Sequence, residues 1–122
     1  MAKRILILDD DEDILYFCTL IFEALDFEVK SVSHTEDIVK TVQESLPDII
    51  LIDNWMPGVR GQEATKILKS APAFKEIPVV LFSAGNNLES IAQRAGADAF
   101  LEKPFDISTL ENLILSLLKC RR

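Results

Sequence analysis

Two kinds of apolar segment alternate along this chain, and that alternation limits its fold more than any other feature. Continuous apolar runs at Ile5 to Leu8, Ile49 to Ile52 and Val79 to Phe82 stop at Asp9, Asp53 and Ser83. A shorter run, Ala99 to Leu101, precedes Lys103-Pro104, and Glu28 to Val32 reads as a weaker strand. A strand apolar on both faces needs cover on both faces, so it belongs inside a parallel sheet packed between helices.

The intervening segments carry helical stripes. Ile14, Phe17, Cys18, Ile21, Phe22 and Leu25 form the first, and Ile38, Val39, Val42 and Leu46 the second. Ala64, Ile67 and Leu68 form a shorter third, Leu88, Ile91, Ala92 and Ala95 a fourth, and Leu110, Leu113, Ile114, Leu117 and Leu118 the last. Asn86 with Glu89 fits a capping box, Asp106 can cap the last helix, and Gly96 can end the fourth. Five strands alternating with five helices predict an α/β flavodoxin-like doubly wound (βα)5 fold. The expected sheet has five parallel strands in the order 2-1-3-4-5, with helices on both faces. A length of 122 residues supports one core and not two, so the expectation is a single domain over residues 1–122.

The net charge of -7 disfavours nonspecific binding to nucleic acid or to an anionic membrane. No apolar run is long enough to span a bilayer, and the acids from Asp9 onward break any signal-peptide pattern. The expectation is a cytoplasmic protein. Cys18 and Cys120 lack metal-ligand spacing, and Cys18 reads as a buried free thiol.

In an open parallel sheet, ligands bind beyond the C-terminal ends of the strands. Strand one ends in Asp9-Asp10-Asp11, strand three in Asp53 and strand four in Ser83, and Lys103 follows strand five. Close carboxylates raise one another's pKa unless a cation is present, and an oxygen-rich site of this kind suits Mg²⁺, with Mn²⁺ as a substitute. A metal there would keep Asp9, Asp10 and Asp53 ionised. Lys103 adds a point charge and Ser83 a hydroxyl. The set reads as a nucleophilic carboxylate with electrophilic groups around a transferring phosphoryl. Taken singly, each residue has a plainer reading. Asp11, Glu12 and Asp13 are dipole-favoured solvated charge at a helix start, Asp53 fits a turn cap, and Ser83 and Lys103 fit a surface. The conjunction at four strand ends is what those plainer readings do not predict.

With these residues in place the chain resembles the receiver domains of bacterial response regulators, with the architecture of the stand-alone chemotaxis regulator. The resemblance covers essentially the whole chain. It is carried by Ile5-Leu6-Ile7-Leu8-Asp9-Asp10-Asp11, by Pro47 through Asp53 with Met56-Pro57-Gly58, by Pro78 through Ala84, and by Gly96 through Phe105. It implies that Asp53 is the phosphoacceptor, that Asp10 binds Mg²⁺ directly, and that Asp9 does so mainly through water or by supporting the site. Trp55 would offer a backbone carbonyl to the metal. Ser83 would hydrogen-bond the phosphoryl, Lys103 would pair with Asp53 and then with the phosphoryl, and Lys103-Pro104 would be a cis peptide. Phe100 would be the switch aromatic. The implied phosphodonor is a sensor histidine kinase or histidine phosphotransfer protein. The signal would leave through the helix 4, strand 5 and helix 5 surface, where Leu115 is an extra apolar residue. An output protein, a missing effector domain or a phosphorylation-dependent dimer would receive it. The chain would catalyse its own phosphorylation and dephosphorylation as a signalling domain rather than act as an enzyme. It would stand alone or form part of a longer regulator or hybrid kinase.

Three positions depart from the family pattern, among them Phe100, which cannot make the hydroxyl contact available to a tyrosine. Arg60 replaces a frequent acid before Gly61, so the third helix is expected to start differently. Trp55 is bulky for its place, either shielding the phosphoryl or covering the loop. His34, the single histidine, lies in a predicted surface loop and lacks a phosphotransfer setting. Three competing functions fit less well. Aspartate phosphatases need a hydroxyl or small β-branched residue where Asp13 stands. A flavin phosphate would be repelled by Asp9 to Asp13. A receiver lookalike used only for binding would lack acids or the lysine, and none is missing.

Overall fold

The computed structural model describes residues 3–56, 58–85 and 87–119, in which five strands alternate with five helices. The strands are β1 (Arg4–Leu8), β2 (Glu28–Val32), β3 (Ile49–Asp53), β4 (Val79–Ser83) and β5 (Ala99–Glu102). The helices are α1 (Glu12–Ala24), α2 (Ile38–Ser45), α3 (Gly61–Ser70), α4 (Leu88–Ala95) and α5 (Ile107–Lys119). All strand pairs are parallel, in the order β2-β1-β3-β4-β5. The expected fold class and strand order are those observed.

Side-chain alternation divides the continuous runs between two cores. Ile5, Ile7, Ile49, Leu51, Val80, Phe82 and Leu101 pack under α1 and α5, against Leu15, Cys18, Phe22, Leu110 and Ile114. Leu6, Leu8, Ile50, Ile52, Val79 and Leu81 face α2, α3 and α4, against Ile38, Val42, Ala64, Leu68, Leu88 and Ala92. β1, β3 and β4 are buried on both faces, which is why they read as unbroken apolar runs, whereas edge strand β2 is partly exposed throughout.

The helix ends follow from local chemistry. The Asp11 carboxylate accepts from the N–H groups of Asp13 and Ile14, capping α1 from an exposed position, and Asp106 accepts from the Thr109 N–H at the start of α5. Gly96, at φ 84°, ends α4 in the left-handed region, where a side chain is disfavoured. The predicted cap Asn86 lies outside the described residues. α4 begins after Asn87, at φ 67°, whose own side chain makes no cap hydrogen bond among the described residues. Cys120 also lies outside them. Cys18 is a buried free thiol whose pKa burial pushes up to about 12, with Asp9 adding to the shift, so it stays protonated and inert.

Three stripe residues face solvent instead of the core. Phe17, Leu46 and Ile67 are exposed, while Leu15, absent from the predicted stripe, is buried. α1 meets the sheet through Leu15, Cys18 and Phe22, a spacing that rotates Phe17 outward. Leu46 leaves its helix in a left-handed turn. Among the described residues no helix is long and apolar enough to cross a membrane.

Leu51 has no exposed surface and Leu46 is 63% exposed, so truncating each tests this partition. In urea unfolding, Leu51→Ala should cost about 3 kcal/mol and Leu46→Ala less than about 0.5 kcal/mol. Equal losses would mean that the burial assignment is wrong.

Candidate functional site

β1 and β3 are neighbours in register, with Leu8 opposite Ile52, so the next residues along, Asp9 and Asp53, lie side by side. Asp9 continues the ladder, its N–H donating to the Val32 carbonyl, and its side chain is fully buried. One of its oxygens accepts the Asp11 N–H at 2.9 Å, and the other accepts the Lys103 ammonium at 2.8 Å. The same ammonium lies 3.7 Å from Asp53 Oδ1. Lys103 reaches across β4, with its Nζ 4.7 Å from the centre of the Phe82 ring. Its own N–H donates to the Ser83 carbonyl, and the Lys103-Pro104 peptide is cis, as expected. Asp10 is exposed, and one oxygen from each of Asp9, Asp10 and Asp53 lies within 4.8 Å of the others.

Burial raises the pKa of both inner carboxylates. For Asp9, desolvation outweighs the lowering by Lys103 and the Asp11 N–H. For Asp53, desolvation is again the largest cause and the Asp9 charge adds to it, while Lys103 and the Trp55 N–H act in the opposite direction. A single ammonium therefore does not neutralise the cluster. Hard oxygen donors at this spacing, short of positive charge, suit a divalent cation such as Mg²⁺.

The other predicted residues are distributed around this core. Ser83 ends β4, buried, with its hydroxyl donating to the Ala84 carbonyl at 3.1 Å rather than pointing to a carboxylate. Phe100 packs partly buried against the α2, α3 and α4 core, and its β4 partner in register is Leu81, two residues before Ser83. Alternation therefore puts Ser83 and Phe100 on the same face of the sheet. Trp55 is half-exposed, with the Arg60 guanidinium 5.1 Å over its ring. Arg60 precedes α3 and offers it no side-chain cap. Sequence reasoning passed over Asn54, whose side chain supplies that cap by accepting the Gln62 N–H at 2.9 Å. A cap eight residues before its target has no local signature.

Known proteins place this arrangement. Residues 5–115 match the response regulator receiver domain, and the chain belongs to that family of two-component signalling modules. It is 30% identical over 115 residues to the CAI-1 autoinducer sensor kinase/phosphatase CqsS of Vibrio cholerae, covering 92% of this chain and 17% of that protein. It is also 30% identical over 121 residues to the phosphate regulon transcriptional regulatory protein PhoB of Escherichia coli, covering 98% of this chain and 53% of that one. A putative response regulator from Chloroflexus aurantiacus superposes with a TM-score of 0.90 at 25% identity, over 98% of this chain and 99% of that one. The chain thus spans about half or less of the curated relatives named here.

The raised pKa of Asp53 has a consequence for stability. A carboxyl raised by folding costs nothing below its unfolded pKa, and the cost is complete above its folded pKa. In metal-free protein, Asp53→Asn should therefore raise the thermal midpoint near neutral pH, by roughly 4 °C if about 1 kcal/mol is recovered. The gain should fall away as the pH drops toward the unperturbed value of 3.8. Melts across that range check it, and a variant no more stable at neutral pH would show that Lys103 already balances the charge.

Proposed function

We propose that the chain is a phosphorylation switch in which Asp53 accepts a phosphoryl group from a phosphohistidine of a sensor kinase or histidine phosphotransfer protein. The observation that carries this reading is the Asp53 carboxylate itself, nearly buried at a strand end between two further acids and one ammonium. An Asp53 oxygen would attack phosphorus. The P–O bond forms, the P–N bond breaks, and its electron pair stays on the leaving imidazole. Asp9, Asp10, Asp53 and the Trp55 carbonyl would hold Mg²⁺, which would neutralise phosphoryl charge when bound. Lys103, hydrogen-bonded to Asp9 and 3.7 Å from Asp53, would turn to a phosphoryl oxygen, and the Ser83 hydroxyl would turn from Ala84 to another. The chain modifies itself in this scheme and turns over no separate substrate.

A donor protein needs a surface beside the site. α1 exposes Tyr16, Phe17 and Leu20, and an apolar cavity of about 280 Å³ is lined by Ile14, Phe17, Ala84, Lys103, Pro104 and Phe105. Clustered exposed apolar groups of this kind support protein docking there. The free thiol of Cys18 supports a reducing, cytoplasmic setting. CqsS and PhoB, of which this chain spans only part, support a second reading of its context, as one module of a longer regulator or hybrid kinase.

Incubation with Mg²⁺ and acetyl phosphate or phosphoramidate should add one labile phosphoryl, read by intact mass. Asp53→Asn should lose it. Full labelling of that variant would refute the site. Asp10→Asn should weaken Mg²⁺ binding at least about tenfold, followed by Trp55 fluorescence.

The output would run through Ser83 and Phe100, which share one face of the sheet. Movement of the hydroxyl toward the phosphoryl frees space that Phe100 can fill, reshaping α4, β5 and α5 for an output partner or a second copy. Beryllofluoride, a phosphoryl mimic, should shift resonances of Phe100 and α5, and much less so in Ser83→Ala at equal occupancy. Identical remote shifts in both proteins would remove Ser83 from the route.

A further inference from the structure

Asn54 follows Asp53 directly and is fully buried. It holds three bonds that tie the acceptor strand to its surroundings. Its N–H donates to the Phe82 carbonyl of β4 at 3.2 Å, its carbonyl accepts the Gly61 N–H at 3.2 Å, and its Oδ1 accepts the Gln62 N–H at 2.9 Å. Two of the first N–H groups of α3, which no residue of the helix can satisfy, are thus met by one residue far upstream. Gly61 lets the helix sit this close. A Cβ there would lie 2.7 Å from the Asp53 carbonyl oxygen and 2.8 Å from the Asn54 Cα.

The amide orientation follows from chemistry, since only the oxygen can accept from Gln62. The nitrogen, Nδ2, is then buried and without a partner among the described residues. An apolar residue would avoid that orphan donor but would leave Gln62 uncapped. An aspartate would cap Gln62 but would add a charge beside Asp9, Asp10 and Asp53. Asparagine is the uncharged side chain of this length that can accept the bond.

We propose that Asn54 is a positioning residue for phosphoryl acceptance at Asp53, an inference that rests on the phosphoacceptor reading above. It latches the first turn of α3 to the end of β3, and so holds the backbone that carries the Asp53 carboxylate and the Trp55 N–H. It touches no reacting atom. Its effect is on how often Asp53 stands in attacking geometry, and not on how tightly a donor binds.

The test combines amide exchange with phosphorylation kinetics on the full chain. In Asn54→Leu the Gln62 amide should exchange at least about tenfold faster, and the labelling rate at saturating phosphoramidate should fall about tenfold. The half-saturating donor concentration should change little and the thermal midpoint should fall only by about what the loss of one helix cap costs, a split that general loosening of the fold would not give. Asn54→Asp, which keeps an acceptor oxygen, should keep Gln62 protected. If the leucine variant does not fold, Asn54→Ala carries the same measurements. A wild type that labels at Asp53, with a leucine or alanine variant labelling equally fast, overturns the latch alone. A wild type that does not label at Asp53 overturns the phosphoacceptor reading and this assignment with it.

Discussion

The contact of Lys103 with Asp9 and Asp53 ties the end of β5 to two adjacent strands, β1 and β3, with which β5 does not pair. Lys103 follows β5, and its ammonium must cross β4 to reach the ends of β3 and β1. It does so by lying over the Phe82 ring, so apolar cover carries the stem while the charge stays at the carboxylates. Removing Lys103 would leave two buried carboxylates side by side without their ammonium, which costs far more than a surface pair is worth. The ends of β1, β3 and β5 are therefore held in one electrostatic arrangement.

That arrangement is not fully satisfied. Burial raises the pKa of Asp9 and Asp53 despite the ammonium beside them. Among the described residues, Asn54 has a buried amide nitrogen without a partner, and the Ser83 hydroxyl bonds only its neighbour's carbonyl. Elsewhere local chemistry agrees with the fold, with both cores apolar and α1, α2 and α5 capped by aspartates. Unsatisfied groups gathered at one end of an otherwise consistent fold are expected where binding or chemistry is supported at the expense of stability.

Much of this was legible in the order of residues. β1, β3 and β4 are buried on both faces, so nearly every position had to be apolar, and a run that ends in aspartate or serine marks its own C-terminal end. The errors came where burial depends on rotation about a helix. Phe17 fits the apolar period of α1 as well as Leu15 does, yet the angle at which α1 meets the sheet buries Leu15 and exposes Phe17. Ile67 on α3 is exposed in the same way.

The sequence by itself determined the alternation of elements, the parallel sheet, and which residues end the strands, because these depend on local period and on the demand that two-faced strands be covered. It also supplied the charges that meet at the site. Only the tertiary structure decided how those charges balance, because desolvation and distance depend on residues up to 94 positions apart, as between Lys103 and Asp9. It alone showed that α3 is capped by Asn54 and not by Arg60, whose guanidinium lies over Trp55 instead. A hydrogen bond between a strand end and a helix start exists only once both have packed against β4, and no local pattern encodes it.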